Sequence, residues 1–320
     1  EKENKQHKTP DHIVKWMVDL VQPEINDLIC DPTCATGTFL VEAYEHIVNK
    51  YSKSYKLSEL GTKEKNKLKN ETFYGFNANQ SMSRVAMMNL MTHGAKNPNI
   101  TQMITYSGLY TEADKYNVVL TNPPFSDTAK SDEISEDFTI ESTKSIILYL
   151  ELIVRILRIG GRCAVLVPEG VLFGTNNAQK LIKEKLLDDC RIDAIIKMHS
   201  KIFKPFGKDI SANILLFTKG EPTKEILYYN MENDGFSVDD KRTPIDECDI
   251  QDIVEKVNSE EKFEDRKAKC FTVTVEEIKG NGMDLSFSAY QKKVYTEVKY
   301  DDPKDIIEKL MVKEDEIKYN

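Results

Sequence analysis

The sequence predicts an α/β chain organised around a doubly wound, mostly parallel sheet. Three observations predict it. Short apolar runs alternate with stretches of helical periodicity from about residue 11 to residue 219, as strand–helix–strand units do. One run, Cys163-Ala164-Val165-Leu166-Val167, is apolar without a break, as expected when both sheet faces are covered. Two runs lead directly into small-residue or proline turns, at the strand ends where such sheets bind ligands.

The elements follow in order. Ile13, Met17, Leu20 and Val21 recur at helical spacing, with Pro10 at the start and Pro23 at the end. Leu28-Ile29-Cys30 predicts a strand, and Phe39, Leu40, Ala43, Ile47 and Val48 a helix. Residues 51–70, rich in Lys, Ser and Glu, read as a surface excursion. Residues 72–76 predict the second strand; Val85, Met88, Asn89, Met91 and Thr92 the second helix; residues 118–120 a third strand. Residues 126–143 are acidic and rich in Ser and Thr, which predicts a mobile loop. Ile146, Leu150, Ile153, Val154 and Leu157 predict a strongly apolar helix stopped by Gly160-Gly161. A helix around Leu181, Lys185 and Leu186 and strands at 194–196 and 214–217 complete the alternation. After Gly220 the pattern changes to short strand-like runs between charged turns. Ile306, Ile307, Leu310 and Ile317 then form a stripe over a helix at 303–317. We therefore expect a catalytic domain at 1–220 and, at 221–320, a small mixed and helical C-terminal extension suited to a subunit interface.

Composition narrows the function classes. A chain of 320 residues, 40% hydrophobic, can bury one large core. No apolar run approaches the ~18 residues that a membrane helix needs, and residues 1–10 are polar and charged, unlike a signal peptide. The 6 cysteines are scattered without CxxC or metal spacing, which fits reduced thiols and a cytoplasmic location. The 5 histidines form no ligand cluster, so no metal is expected. A net charge of −9 argues against a chain that grips nucleic acid alone. Lys and Arg concentrate locally at Lys197, Lys201, Lys204 and Lys208 and at Lys241-Arg242, any of which serves equally well as a solvated face.

Two turns carry chemistry. Thr121-Asn122-Pro123-Pro124-Phe125 follows the apolar run Val118-Val119-Leu120. The prolines fix φ and remove backbone donors, leaving carbonyls able to accept hydrogen bonds. Asn122 adds an amide acceptor, and Phe125 a face on which a base can stack. Such a turn would hold a planar amine; a plain Pro-Pro turn is the competing reading. The second turn, residues 31–40 (Asp-Pro-Thr-Cys-Ala-Thr-Gly-Thr-Phe-Leu), joins a strand to a helix through small residues. Backbone can approach a ligand closely there, and the helix N-terminus favours an anion. It lacks the dinucleotide-binding glycine spacing and the P-loop lysine. A small cofactor with a carboxylate and an adenosine group fits it; a tight strand–helix connection is the alternative.

In this order the two turns resemble the amino-group DNA methyltransferases that make N6-methyladenine, and more closely the modification subunit of type I restriction–modification systems. Gln6-His7-Lys8-Thr9-Pro10 is similar to that family's Gln-x-x-Thr-Pro motif. Phe73-Tyr74-Gly75-Phe76 with Met88-Asn89-Leu90-Met91 and His93-Gly94 resembles a second block, and Gly160-Gly161-Arg162, Val167-Pro168 and Gly170-Val171-Leu172-Phe173 a later one. The tail residues Asp234-Gly235-Phe236-Ser237, Asp239-Asp240-Lys241-Arg242, Asp284-Leu285-Ser286 and Tyr290 extend the resemblance to about residue 310.

The resemblance implies a Rossmann-like S-adenosylmethionine-dependent methyltransferase fold and transfer of a methyl group from S-adenosylmethionine to adenine N6 in DNA. It implies that Gln6, Thr9 and Pro10 line the cofactor pocket, and that Asp31, Thr33, Thr36, Gly37 and Thr38 hold the methionine moiety. Asn122 and Pro123 would accept from the adenine amine; Pro124 would stiffen the turn, and Phe125 would stack on the flipped base. Expected partners are DNA and a specificity subunit, with a restriction subunit as a further candidate, in a hetero-oligomer. The sequence also departs from the family. Asn77 stands where an acid usually bonds the cofactor ribose, Ser107 aligns with a second acid near the cofactor adenine, and Ala35 replaces a common glycine. An alternative expectation is therefore a scaffold subunit with weakened cofactor binding; another is a methyltransferase for RNA or protein amines. The family's helical N-terminal domain does not precede the cofactor motif in this sequence, which reads as a fragment or a shortened relative.

Overall fold

Pro10 opens the first helix. Its carbonyl accepts from the N–H groups of Ile13 and Val14, both at 3.0 Å, and starts α1 (Asp11–Val21). Gln22, in the left-handed region at φ 44°, ends it one residue before Pro23. The computed structural model describes residues 9–53, 61–206, 211–237, 239, 241–259 and 261–292. The chain then alternates through β1 (Ile29–Asp31), α2 (Thr38–Lys53), α3 (Thr62–Asn70), β2 (Phe73–Asn77), α4 (Gln80–His93), β3 (Asn99–Gln102), β4 (Tyr116–Thr121), α5 (Ser145–Ile156) and β5 (Leu157–Pro168). It continues with α6 (Glu169–Phe173), α7 (Asn177–Asp189), β6 (Cys190–Lys197), β7 (Ala212–Lys219), β8 (Glu225–Asn230), the hairpin of β9 (Asp234–Phe236) and β10 (Pro244–Cys248), α8 (Ile250–Val257), β11 (Cys270–Thr274) and α9 (Val275–Gly280).

Nine strands form one sheet in the order β11-β8-β6-β7-β5-β4-β1-β2-β3. Pairs β1–β2, β2–β3, β1–β4, β4–β5 and β6–β8 are parallel; β7 runs antiparallel to both neighbours, as does β11 to β8. The sheet is therefore mostly parallel and wound both ways from β1. The chain builds outward from β1 to β3, then crosses back to lay β4 on the other side. That reversal opens a crevice outside the carboxyl ends of β1 and β4, the position where doubly wound sheets take ligands. Helices cover both faces and divide the core into two apolar layers. Ile13, Met17, Leu40 and Leu90 lie in one, and Leu150, Ile153, Ile182 and Leu186 in the other.

Several elements differ from expectation. The surface excursion expected after residue 50 holds regular structure where it is described: α2 runs to Lys53 and α3 occupies 62–70, a nearly all-polar surface helix with Leu68 its single buried residue. Gly160-Gly161 does not stop α5, which ends at Ile156; both glycines lie inside β5. Short β3 (Asn99–Gln102), with one buried residue, has no apolar pattern to announce it. Residue 220 falls between β7 and β8, two strands of the same sheet, so the chain beyond it adds β8 and β11 to the main layer. The helix expected at 303–317 lies outside the described residues. Among those residues, no helix is long and apolar enough to cross a membrane.

Candidate active site

The site is built by the ends of β1, β2 and β4 and by the start of α1. Asp31, the last residue of β1, is buried. Its Oδ1 accepts from Thr33 N–H at 3.0 Å and from the Thr121 hydroxyl at 2.7 Å. Burial pushes its carboxyl up to about 7, against the opposing pull of the Thr121 and Thr33 hydrogen bonds. Thr33 Oγ1 lies 2.7 Å from Thr121 Oγ1 and 3.4 Å from the carbonyl oxygen of Asn122. One chain of polar contacts thus joins the β1 turn to the β4 turn.

The turn after β1 is shaped for close approach. Gly37, at φ +78°, bonds to the Cys34 carbonyl at 2.6 Å, and a side chain there would press on Ala86 of α4 at 3.3 Å. Both its φ and its packing demand glycine. Gly75 in β2 faces the same turn: a Cβ would fall 2.9 Å from Cys34 Sγ and 2.7 Å from Ile100 Cδ1. Ala35, the departure from glycine, adopts φ +43° with its methyl in place. Asn89 Nδ2 donates to the Thr36 carbonyl at 3.0 Å and Thr105 Oγ1 to the Pro32 carbonyl at 3.3 Å, holding the turn from both flanks. Thr36 and Thr38 join their hydroxyls at 3.0 Å at the N-terminus of α2.

The turn after β4 is held at two points. The Asn122 carbonyl faces Thr33 Oγ1, and the Pro124 carbonyl accepts from the hydroxyl of buried Ser145 at 3.2 Å. The Asn122 and Pro124 carbonyls are thus engaged, whereas among the described residues no hydrogen bond falls on the Pro123 carbonyl. Asn122 Nδ2 donates to Thr9 Oγ1 at 3.0 Å, which brings the buried Thr9-Pro10 segment against the turn. Phe125 is half-buried between the two apolar layers. Beside it lies a cavity of about 250 Å³, lined also by Lys144, Pro168, Gly170, Asn176 and Gln179. The acidic segment expected to be mobile is pinned: Glu151 of α5 accepts from Thr139 N–H and hydroxyl at 2.7 and 2.6 Å, and Ala129 N–H donates to the Thr143 carbonyl at 2.8 Å.

Asn77 ends β2, next to β1 in the sheet, and Ser107 lies in the connection between β3 and β4. Asn77 is buried, and its Oδ1 accepts from Asn79 N–H at 2.8 Å. Ser107 donates to the Ile104 carbonyl at 2.7 Å; no described hydrogen bond joins it to the rest of the site. Gln6 lies outside the described residues. Sequence reading named Thr121 and Asn89 only as motif members and not Ser145 at all; their roles escaped it because the hydroxyls and amide look like ordinary strand and helix positions. It also missed the groups that fasten α1. Asp234, with a fully buried side chain, accepts from His12 Nε2 at 2.9 Å, from His199 Nε2 at 3.4 Å and from Arg242.

Comparison with known proteins locates this geometry. The family model described as N-6 DNA Methylase matches residues 1–299. The chain belongs to the N-6 DNA methylase family. It is 34% identical over 225 residues to the type I restriction enzyme EcoEI methylase subunit of Escherichia coli, covering 69% of this chain and 44% of that one. To the EcoKI methylase subunit of E. coli K12 it is 26% identical over 265 residues, 77% of this chain and 48% of that one. Among solved structures, a chain from a type I restriction–modification complex superposes with TM-score 0.73 at 28% identity, covering 99% of this chain and 65% of that one. The crystal structure of the EcoKI modification protein gives TM-score 0.73 at 21% identity over 94% and 68% of the two chains. The fold is thus the Rossmann-like fold of S-adenosylmethionine-dependent methyltransferases. The chain spans about half the length of these curated relatives.

Proposed function

We propose that this chain transfers a methyl group from S-adenosylmethionine to the N6 amine of adenine in DNA, as the modification part of a type I-like restriction–modification system. The observation that carries the reading is the Asn-Pro-Pro-Phe turn at the end of β4. Its flanking carbonyls face the hydroxyls of Thr33 and Ser145, while the Pro123 carbonyl accepts nothing among the described residues. That carbonyl and the Asn122 amide would accept the two hydrogens of the substrate amine. Phe125 would stack on the base, and the adjoining cavity, about eight liquid-water volumes, gives a purine room.

The crevice between β1 and β4 fits the cofactor. Gly37 lets the turn after β1 pack closely on Ala86 of α4, and the N-terminus of α2 suits a carboxylate. Asp31 Oδ1 accepts from Thr33 N–H and from the Thr121 hydroxyl, and we assign the Asp31 carboxylate to the cofactor ammonium. The cofactor supplies an electrophilic methyl carbon. The protein's part is to hold the amine nitrogen pyramidal and in line with it, so rate comes from orientation and electrostatics. The amine becomes acidic only on methylation, so no strong base is needed.

The net charge of −9 fits DNA affinity supplied in part by a specificity subunit. A second reading, a scaffold subunit with weak cofactor binding, has an observation behind it. Asn77 and Ser107 spend their side chains on local turns, and neither offers a carboxylate. Two measurements decide. With labelled cofactor, DNA and a specificity partner, wild-type protein labels adenine and Asn122→Ala does not, though it binds cofactor normally by calorimetry. No cofactor binding by the wild type at millimolar concentration would instead favour the scaffold.

A further inference from the structure

We infer that Thr121 is a positioning residue that couples the cofactor side of the site to its substrate side, a role resting on the methyl-transfer reading above. Thr121 ends β4 and is fully buried. The β1–β4 ladder pairs Ile29 with Val118 and Cys30 with Val119, and no pairing continues to Asp31 and Thr121. Beyond that point the two strand ends are joined through side chains. The Thr121 hydroxyl donates to Asp31 Oδ1 at 2.7 Å and meets Thr33 Oγ1 at 2.7 Å; Thr33 Oγ1 reaches the Asn122 carbonyl at 3.4 Å.

Each hydroxyl has one proton to give. The Thr121 proton goes to Asp31, so at its contact with Thr33 the Thr121 oxygen can only accept, and the Asn122 carbonyl lies within reach of the Thr33 hydroxyl at the longer distance. The contacts therefore form one network over the Asn122 carbonyl, Thr33, Thr121 and Asp31, in which the Thr121 hydroxyl ties the end of β4 directly to the acid. A strand position buried among Val118, Val119 and Leu120 has no packing need for a hydroxyl, and burying one costs free energy unless it is bonded. Valine has the same branched shape and suits a strand at least as well. Threonine at this position is accounted for by the bond to Asp31 and the register it imposes between the two turns.

The test compares wild type, Thr121→Val and Thr121→Ser as the full chain with its specificity partner. Thr121→Val keeps the shape and loses the link; Thr121→Ser keeps the link. We expect Thr121→Val to lower kcat roughly tenfold or more, with KM for DNA within about twofold, as befits an interaction that matters in the transition state. Thr121→Ser returns kcat to near the wild-type value, although it loses a buried methyl and melts at a lower temperature. That split separates positioning from packing, which would make Thr121→Ser the worse variant. Should Thr121→Val fail to fold, Thr121→Ala removes the same hydroxyl and carries the same expected loss relative to Thr121→Ser. Wild-type kcat in the valine variant, or an equal loss in the serine variant, overturns the inference while leaving the methyl-transfer reading standing. A wild-type complex that transfers no methyl group overturns both.

Discussion

Asn122 Nδ2 donates to the hydroxyl of Thr9 at 3.0 Å, a bond between residues 113 apart in sequence. It fixes the amide with its nitrogen toward α1 and its carbonyl oxygen turned away. An amide that must accept from a substrate amine needs that orientation set beforehand, since a flipped amide would offer a donor to a donor. Thr9→Val should therefore lower kcat roughly tenfold, worth about 1.4 kcal/mol of barrier, while Thr9→Ser stays near wild type. Steady-state kinetics at saturating cofactor checks this, and equal rates for both variants would show that the amide is held by other means.

Asp31 makes the protein's stability depend on pH. Burial pushes its carboxyl up to about 7 from an ordinary value near 4, although hydrogen bonds from Thr121 and Thr33 oppose the rise. Between those values the folded chain keeps a proton that the unfolded chain has released. The contribution is thus fully present below about pH 4, lost as pH rises to about 7, and flat above. It amounts to as much as about 4 kcal/mol. Urea unfolding of wild type and Asp31→Asn from pH 4 to pH 8 measures it. The stability difference, wild type minus variant, should shrink steadily over that range, and a constant difference would place Asp31 ionised throughout.

The sheet was legible because its central strands are apolar on both faces, so residues 163–167 and 214–217 announce themselves without alternation. The two site turns, each with an ordinary structural reading on its own, were legible because both follow apolar strands and occur together in a fixed order. What escaped was polar and dispersed. Glu151 sits in a helix whose other buried residues are almost all apolar, and its hold on Thr139 depends on a loop that folds back onto it. Thr121 reads as a strand residue until Asp31 is placed opposite. The His12–Asp234 pair spans 222 residues, and no local spacing encodes it.

That pair leads to a prediction for the fastening of α1. Burial alone would raise the Asp234 carboxyl, yet hydrogen bonds from His12, His199 and Arg242 prevail and hold it well below the usual carboxylate range. Its contribution to stability is present above about pH 4 and is lost as pH falls through the depressed folded value. At pH 7 Asp234→Asn leaves the buried Arg242 guanidinium without its counter-charge and should cost about 3 kcal/mol. Chemical denaturation should show the gap between variant and wild type narrowing below pH 4. Because His12 lies three residues beyond Thr9, the same variant should weaken methyl transfer more than its loss of folded population explains.

Asn77→Asp tests the end of β2. Asn77 Oδ1 accepts from Asn79 N–H, and Asn79 in turn caps α4 through the N–H groups of Ser81 and Met82. An aspartate can keep the first bond with one oxygen and offer the other to a ribose hydroxyl. A charge-assisted bond contributes roughly 1.5–3 kcal/mol, so calorimetry should show S-adenosylmethionine binding about ten- to a hundredfold tighter. The same carboxylate is buried when no cofactor meets it, so the free variant should melt below wild type. Tighter binding together with a lower melting temperature is the signature of a residue at the end of β2 facing the cofactor. If affinity is unchanged and only the melting temperature falls, Asn77 serves the β2–α4 turn alone.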